Sequence, residues 1–294
     1  MSAKILIPLI ARLPLTILYL SGYLLGTLFW LIPNKKRRYS TINLRLCLPE
    51  LPASKRHQLL RRSLINEMQT LLEIPALLNL PQQRLNTIIQ EVHGLEYLEQ
   101  GINKGKGVIL AVPHLGNWEL IGLYVSARYP MTSLYRPQHR SPELDVFIRK
   151  GRQRFGAKLV PTDASGVRAL YKALDSDEVT AILPDQNPGK GGSVFAPFFG
   201  QPASTMVLLS RLARRNRATV LYSYTERLRR GKGFRLHFIP ADETIYDHDA
   251  VISATSLNQG LESCIRKNPE QYWWSYKRFN VVPEGESSPY NNTE

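Results

Sequence analysis

The chain has 294 residues, with 38 lysines and arginines against 24 aspartates and glutamates, and a formal net charge of +14. This length is enough for one large domain or two small ones, and the basic excess predicts an anionic partner: nucleic acid, anionic lipid or an acidic protein. The two cysteines provide neither a disulfide framework nor a metal-ligand spacing, so we expect a reducing compartment and no metal.

The first 34 residues are predicted to form a membrane anchor. Residues 13–32 carry no charge, and twenty such residues are the length that a helix needs to cross a bilayer. Four basic residues follow at positions 35–38, and the positive-inside rule therefore places the rest of the chain in the cytoplasm. Because Pro14 and Gly22 weaken a span, a buried or interfacial helix is the alternative. A membrane anchor favours anionic lipid over nucleic acid, for which the sequence has no zinc-finger spacing or RNA-binding signature.

Residues 35–105 are predicted to form a helical connector or cap. Residues 39–52 have a mixed composition, and Ser54 is a candidate cap for a helix that begins at Lys55. Apolar residues recur in that helix at the spacing of one face, which indicates a face packed on the core or resting on a membrane. Residues 81–104 are predicted to be helical as well.

Residues 106–282 alternate between short apolar runs and helical patterns, which is typical of an α/β sheet flanked by helices. Predicted strands cover residues 108–112, 131–135, 158–160, 179–183, 219–226 and 234–239, the last two as a hairpin with a basic tip. Predicted helices cover residues 119–128, 142–155, 164–174, 205–215 and 248–267, and residues 186–204 are predicted to be a long loop. The polar residues 283–294 are predicted to be a flexible tail.

The start of this region holds groups that can move a proton. The strand at 108–112 leads to His114, and after a small turn a helix begins near Glu119. Because four residues across a turn separate them, Glu119 could contact the imidazole, hold its tautomer and balance its charge, while the other ring nitrogen takes a proton from a hydroxyl. Asn117, in the same turn, is a candidate substrate-binding residue. The alternative is a structural histidine and a glutamate favoured by the helix dipole alone, and residue chemistry leaves both open.

A second histidine and acid repeat this spacing at His237 and Asp242. Residues 234–239 are predicted to be a strand, and an offset of five along a strand points to opposite faces of the sheet. A structural histidine is therefore the favoured interpretation at this position.

Two further strand ends carry polar groups. Arg136 follows the predicted strand at 131–135, and Asp185 follows the one at 179–183. If these strands are parallel, both residues reach the same sheet edge as His114, where α/β proteins build their sites. An arginine there can hold a phosphate or carboxylate, and an aspartate can position a hydroxyl. The alternatives are an ordinary surface charge for Arg136 and a turn residue for Asp185.

Several common enzyme classes are unsupported. The sequence has no Gly-x-Ser-x-Gly elbow, no His-Glu-x-x-His and no Walker loop. These absences argue against an ordinary serine hydrolase, a zinc peptidase and a P-loop nucleotide-binding protein.

The chain resembles the late acyltransferases of lipid A biosynthesis, the lauroyl and myristoyl transferases that act on Kdo2-lipid IV(A). Nearly the whole chain takes part, including its apolar start and its basic stretch. The motifs that carry the resemblance are Asn43-Leu-Arg-Leu-Cys-Leu-Pro-Glu50, His114-Leu-Gly-Asn-Trp-Glu119, Tyr135-Arg-Pro137, Pro184-Asp-Gln-Asn-Pro-Gly189, Ser193-Val-Phe-Ala-Pro-Phe-Phe-Gly200, Pro269-Glu-Gln-Tyr272 and Lys277-Arg-Phe279. In the related glycerolipid acyltransferases a Glu-Gly-Thr-Arg motif stands where this chain has Asp185-Gln-Asn, which favours a lipid A precursor over glycerol phosphate as acceptor.

The resemblance implies a mixed sheet flanked by helices, as in glycerolipid acyltransferases, and a His-x4-acid pair formed by His114 and Glu119. It implies transfer of an acyl group from acyl carrier protein to a hydroxyl of a lipid A precursor, without cofactor or metal, at the cytoplasmic face of a bacterial inner membrane. Asn117, Arg136 and Asp185 are then the candidate substrate-binding residues. Basic faces at 211–217 and 227–232 could recruit the acidic carrier protein or anionic membrane lipid.

Two alternatives stay open. An acyltransferase with the same site could act on another glycolipid or on an aminoacyl lipid. A membrane-anchored protein that binds lipid without catalysis would keep the motifs and consume no thioester. Acyl chain length does not follow from the sequence, because it depends on the depth of a pocket.

Overall fold

A computed structural model describes residues 3–138, 141–188 and 191–291. The helices are α1 (Ala3–Ile10), α2 (Leu15–Leu31), α3 (Lys35–Cys47), α4 (Ala53–Leu78), α5 (Gln82–Ile88), α6 (Leu95–Asn103), α7 (Glu119–Ser126), α8 (Pro142–Gln153), α9 (Ala164–Asp175), α10 (Leu208–Asn216) and α11 (Ala250–Lys267). The strands are β1 (Ile89–His93), β2 (Val108–Ala111), β3 (Met131–Tyr135), β4 (Lys158–Pro161), β5 (Val179–Ile182), β6 (Ser193–Phe198), β7 (Gln201–Met206), β8 (Thr219–Arg227) and β9 (Phe234–Pro240).

The apolar start of the chain is not the single transmembrane helix that its length suggested. A break at residues 11–14 separates α1 from α2, and α2 has 17 residues. Within the described part of the chain, no one helix is long and apolar enough to cross a membrane. Taken together, α2 and α3 have the length and composition of a membrane span, but the two helices are bent by 79° relative to each other.

Helix α2 packs closely on α4 through two glycines. A Cβ atom at Gly22 would lie 2.6 Å from Gln69 Cα, and one at Gly26 would lie 2.3 Å from Ile65 Cα. Only glycine lets the two helix backbones approach so closely. The glycine that weakens α2 as a membrane span therefore attaches it to the rest of the protein.

The connector is more helical than predicted. Residues 35–47, which include most of the predicted mixed segment, form α3, and the side chain of Asn34 caps this helix by accepting a hydrogen bond from the Arg37 amide at 3.0 Å. Asn43 of α3 donates to the carbonyls of Trp274 and Tyr276, which joins the connector to the far end of the chain. Long-range contacts therefore support a helix whose own sequence is mostly polar.

The main sheet has seven strands in the order β1-β9-β8-β2-β5-β3-β4. All neighbouring pairs are parallel except β8 and β9, which form the predicted antiparallel hairpin. This arrangement confirms the mixed sheet flanked by helices. Strand β1 lies in a segment that was predicted to be helical, and it forms because it pairs with β9 at the edge of the sheet.

Both faces of the sheet are covered. In β2, Ile109 and Ala111 belong to one apolar cluster and Val108 and Leu110 to the other, and all four are fully buried. A parallel strand buried on both faces has such a continuous apolar sequence. The side chains of β2 are therefore all used in the core, and His114 lies just beyond the carboxyl end of this strand.

Two segments expected to lack structure are ordered. In the predicted loop at 186–204, β6 pairs with β7 as an antiparallel hairpin. In the predicted flexible tail, Tyr290 is 3% exposed, and its hydroxyl donates to Asn43 Oδ1 at 2.5 Å. A buried aromatic ring therefore anchors this part of the predicted tail to α3; residues 292–294 lie outside the described residues.

Candidate active site

The register of two parallel strands brings His114 and Asp185 together. Ala111 and Ile182 are paired and are the last residues of β2 and β5, and each site residue lies three positions beyond the end of its strand. Asp185 Oδ1 lies 2.7 Å from His114 Nδ1, and Asp185 Oδ2 accepts a hydrogen bond from the His114 amide at 2.8 Å. Both residues were predicted from sequence to share this edge, but their direct contact was not.

Asp185 is an ionised, buried partner of the imidazole. Its side chain is 1% exposed, and burial raises its pKa, but His114 lowers it by more through its charge and its hydrogen bonds. The pKa of Asp185 therefore lies below its ordinary value. A carboxylate on Nδ1 holds the proton on that nitrogen and leaves the Nε2 lone pair available.

The other ring nitrogen faces an amide. Gln186 Nε2 lies 3.2 Å from His114 Nε2, so an amide hydrogen can point at the ring's lone pair. The ring of Trp118 is 4.7 Å from the imidazole and that of Trp273 is 6.4 Å away, both at steep angles. The imidazole is thus held on both nitrogens and flanked by indoles, with 15% of its side chain exposed.

Glu119 does not contact His114, in contrast to the pairing that the sequence suggested. It begins α7 and accepts two hydrogen bonds from Arg152 near the end of α8, with Nε–Oε2 at 2.8 Å and Nη2–Oε1 at 2.5 Å. Burial lowers the pKa of Arg152, but Glu119 raises it by more, so the guanidinium stays charged. The physical reason for the different pairing is that Asp185 already occupies Nδ1 of the histidine.

Asn117 lies beneath the site instead of facing a ligand. It is fully buried, and its amide donates to Glu73 Oε2 at 3.1 Å. Glu73 is also bound by Arg227, whose Nη2 lies 2.7 Å away in an ion pair with both side chains 3% exposed. Thr70 adds a hydrogen bond to the Gly116 carbonyl at 3.0 Å. The turn that carries His114 is therefore anchored from below, and Asn117, which was predicted to bind substrate, takes part in this anchoring network.

A segment from the end of the chain pairs with the same turn. The Gly116 amide donates to the Gln271 carbonyl at 3.0 Å, and the Trp273 amide donates to the His114 carbonyl at 3.0 Å. Gly116 has a φ of +62°, and a Cβ atom there would lie 1.6 Å from the Thr225 carbonyl oxygen. Glycine is required at this position on both counts.

A cavity of about 1020 Å³ opens beside His114. His114, Glu119, Arg152 and Arg136 line it, so the side chain of Arg136 does share the edge of the sheet with His114 as predicted. Most of the remaining lining is apolar, for example Leu123, Met131, Leu134, Ala157, Leu159 and Val167. Such a space suits a ligand with a long apolar part and a reacting group near the imidazole.

Residues 3–281 match the family model described as bacterial lipid A biosynthesis acyltransferase, which is nearly the whole chain.

The chain belongs to this acyltransferase family.

Individual relatives agree with the family match. The acyltransferase is 29% identical over 283 residues to a lipid A biosynthesis lauroyltransferase of Escherichia coli, covering 96% of this chain and 91% of the relative. It is 29% identical over 280 residues to a palmitoleoyltransferase of the same organism, covering 95% and 90%. It is 26% identical over 276 residues to a myristoyltransferase, covering 92% and 83%. Relatives named for three different acyl groups are thus about equally similar to this chain.

His237, the histidine of the second His-x4-acid spacing, is a structural residue of the acyltransferase, as expected. His237 Nε2 lies 3.1 Å from Glu226 Oε2 and its ring stacks on Tyr224 at 4.4 Å, while Asp242 accepts a hydrogen bond from the Thr244 amide. Burial lowers the pKa of His237 by more than Glu226 raises it. His237 and Asp242 therefore do not form a second site.

Three residues that contribute to the site of the acyltransferase were not predicted from its sequence: Arg152, Glu73 and Arg227. Arg152 lies in a helix with four other charged residues, and no local pattern distinguishes it. Glu73 and Arg227 are 154 positions apart, so only the fold shows that they pair. No group of three or more histidine, cysteine, aspartate or glutamate residues in the described ranges is arranged to hold a metal ion.

Proposed function

We propose that the protein transfers a fatty acyl chain from the thioester of acyl carrier protein to a hydroxyl of a lipid A precursor of the Kdo2-lipid IV(A) type. The observation that carries this proposal is the position of His114. Its Nδ1 is bound by buried Asp185, and it lines a largely apolar cavity together with Glu119 and Arg152. A general base at such a cavity suits the acylation of a hydroxyl by a long chain.

His114 acts as the base in a direct transfer. The acceptor hydroxyl takes the place of the Gln186 amide at Nε2 and gives its proton to that nitrogen as its oxygen attacks the thioester carbonyl. The new ester C–O bond forms and the C–S bond breaks, and the proton passes from Nε2 to the leaving thiolate. Asp185 holds the tautomer before the reaction and balances the charge of the imidazolium during it.

Glu119 and Arg152 serve the same reaction as a unit. Their two parallel hydrogen bonds fix the guanidinium at the cavity wall in a rigid fork. A fixed positive charge beside the reacting carbonyl stabilises the oxyanion that develops there. In this role Glu119 orients Arg152, and the ring of His114 is oriented by Asp185.

The cavity and the surface offer further cationic groups to an anionic acceptor and an acidic carrier protein. Arg136 is exposed and lines the cavity, where it can bind a phosphate or sugar carboxylate of the acceptor. Arg211 also lines the cavity and begins the predicted basic face at 211–217, which suits the acidic donor protein. Acyl carrier protein brings the acyl group, so the proposal needs no further cofactor.

The basic face predicted at 227–232 suits anionic lipid better than it suits the carrier protein. Arg227 is buried against Glu73 and does not belong to it, whereas Arg229 and Arg230 are exposed beside α2. Residues 17, 20, 24, 28 and 31 form an exposed apolar stripe along α2, with Leu24 69% exposed. An apolar stripe with basic neighbours is suited to the interface of an anionic bilayer, so we place the protein at the cytoplasmic face of the inner membrane.

The test is an acyl-transfer assay. Purified protein in detergent is incubated with acyl carrier protein charged with different chains and with Kdo2-lipid IV(A), and the lipid is analysed by mass spectrometry. We expect a mass gain of one acyl group that is lost in His114→Ala and retained in His248→Ala, an exposed histidine far along the chain. A gain on a different glycolipid or aminoacyl lipid alone would change the acceptor. Binding of the lipid without thioester consumption, by folded protein, would refute the proposal.

A further inference from the structure

A glycine lies on the wall of the cavity although nothing in the packing requires one there. Gly122 of α7 lines the cavity, and among the described residues a Cβ atom built on it would have one neighbour within 4 Å, Met131 Cε at 4.0 Å. Its φ is outside the positive range, so a larger residue would keep the same backbone. Glycine inside a helix weakens the helix, so this position gives up local stability to leave space open.

Other helical glycines of the protein have a different explanation. A Cβ atom at Gly151 would lie 2.7 Å from Leu78 Cβ, and one at Gly166 would lie 1.7 Å from the Pro161 carbonyl oxygen. Those two positions need glycine because another part of the chain approaches closely. Gly122 is distinguished from them because the space beside it is empty and belongs to the cavity.

The cavity extends from His114 past Gly122 into the protein. Glu119 and Gly122 are one turn apart on the same face of α7, and both line the cavity. Met131 and Ala157 also line it, and they lie at the amino ends of β3 and β4, whereas Arg136 lies just beyond the carboxyl end of β3. At 3.3 Å per residue, Met131 is roughly 13 Å from the end of its strand that faces the site.

The transferred chain is the occupant that this space fits. The chains of a lipid acceptor can stay in the bilayer, whereas the transferred chain leaves its water-soluble carrier and is exposed to water unless the enzyme gives it an apolar surface. Its carbonyl must lie beside His114 for the reaction, and the hydrocarbon can then continue along the apolar lining toward Gly122 and Met131.

We propose that Gly122 and Met131, which are neighbours on the cavity wall, determine the length of the acyl chain that the enzyme transfers. This inference rests on the proposed function and adds the residues that select among donors. Relatives named for lauroyl, palmitoleoyl and myristoyl groups are similar to this chain to nearly the same degree, so overall identity does not indicate the chain. The space between the backbone of Gly122 and the side chain of Met131 can set the chain length locally.

The experiment is a competition among donors. Full-length wild type, Gly122→Ala, Gly122→Leu and Met131→Ala each receive one mixture of acyl carrier protein charged with decanoyl, lauroyl, myristoyl and palmitoyl chains, together with Kdo2-lipid IV(A). Mass spectrometry gives the ratio of products. Ser126→Ala is the matched control, since it also adds helix propensity to α7 but does not line the cavity.

We expect Gly122→Ala to lower the ratio of the longest to the shortest transferred chain by about tenfold, the discrimination that one lost methylene site gives in an apolar pocket. Gly122→Leu shifts the preference further toward short chains, and Met131→Ala shifts it toward longer ones. Ser126→Ala keeps the wild-type ratio. The melting temperature of Gly122→Ala stays equal or rises, which separates a change of selectivity from damage to the fold.

Two failures can be told apart. If the wild type transfers no chain from any donor, the proposed function fails. If the wild type transfers a chain, and Gly122→Ala and Met131→Ala give the same ratio of products as the wild type, the proposed function stands and this inference is overturned. These two variants decide the question even if Gly122→Leu does not fold.

Discussion

Asp185 binds His114 twice, through Oδ1 to the ring nitrogen Nδ1 at 2.7 Å and through Oδ2 to the backbone amide at 2.8 Å. One carboxylate therefore orients both the imidazole and the peptide that carries it. Because Asp185 is 1% exposed, water does not compete for these hydrogen bonds. The histidine is held in a single orientation before any substrate arrives.

Replacing Asp185 by asparagine tests this orientation. The amide group of the variant cannot hold the Nδ1 proton as a carboxylate does, and the imidazolium loses its balancing charge. We expect kcat to fall by about three to four orders of magnitude, with a much smaller change in KM for the acyl donor. Steady-state kinetics measures kcat and KM, and a circular dichroism spectrum shows whether the variant is folded. A folded Asp185→Asn variant with wild-type kcat would contradict the role of Asp185 in orienting His114.

The pKa of Asp185 predicts how stability changes in acid. Its pKa is below the ordinary value because His114 outweighs the effect of burial, so the folded state favours the ionised form. The stabilisation is complete above the ordinary pKa of about 4 and is lost as the pH falls through the lower pKa of the folded state. We expect urea unfolding at a series of pH values to show a decline below about pH 4 that is weaker in Asp185→Asn. Equal acid dependence in both proteins would argue against an ionised Asp185.

Glu119 and Arg152 are expected to behave as one unit. Removal of either partner leaves the other without its fork of hydrogen bonds, so Glu119→Gln and Arg152→Gln should each lower kcat by about two to three orders of magnitude. The double variant should lose little more than either single one. A double-mutant cycle on kcat measures this coupling. If Glu119 acted on His114 without Arg152, Arg152→Gln would keep most of the activity.

The buried ion pair beneath the site predicts an asymmetric effect on stability. Arg227→Met leaves the charge of Glu73 buried without its partner, and we expect it to lower the free energy of unfolding by about 3–5 kcal/mol. Arg227→Met combined with Glu73→Leu removes both charges and should cost less. Denaturant unfolding of the three proteins compares them, and additive losses in the double variant would show that the two residues do not depend on each other.

Gly116 offers a test of the turn that carries His114. The backbone at Gly116 has a φ of +62°, which disfavours any residue with a side chain. A Cβ atom there would also lie 1.6 Å from the Thr225 carbonyl oxygen. Gly200 has a similar φ of +74°, but a Cβ atom there has no neighbour within 4 Å. We expect Gly200→Ala to cost about 1–3 kcal/mol from backbone strain and Gly116→Ala to cost clearly more and to reduce activity. Equal losses in thermal unfolding would mean that the close approach is unimportant.

Some features were predictable because they depend on neighbouring residues. The apolar run before His114, the turn and the helix that begins at Glu119 are local patterns, and the structure has β2 and α7 in those places. Strand β3 has the predicted bounds, and the motifs spread along the chain indicate the family that the model match confirms. Other features depend on contacts between segments far apart in the chain. Strand β1 forms because it pairs with β9, and Tyr290 is held in place because its hydroxyl donates a hydrogen bond to Asn43.

The sequence by itself determined which residues end the central strands, and it predicted that His114, Arg136 and Asp185 share one sheet edge if those strands are parallel, as the structure has them. The tertiary structure alone decided which carboxylate binds the histidine. The choice depends on the register between β2 and β5, which places Asp185 level with His114, and on the approach of α8, which brings Arg152 to Glu119. Register and helix packing arise from contacts between segments far apart in the chain, so a spacing of four residues could not reveal them.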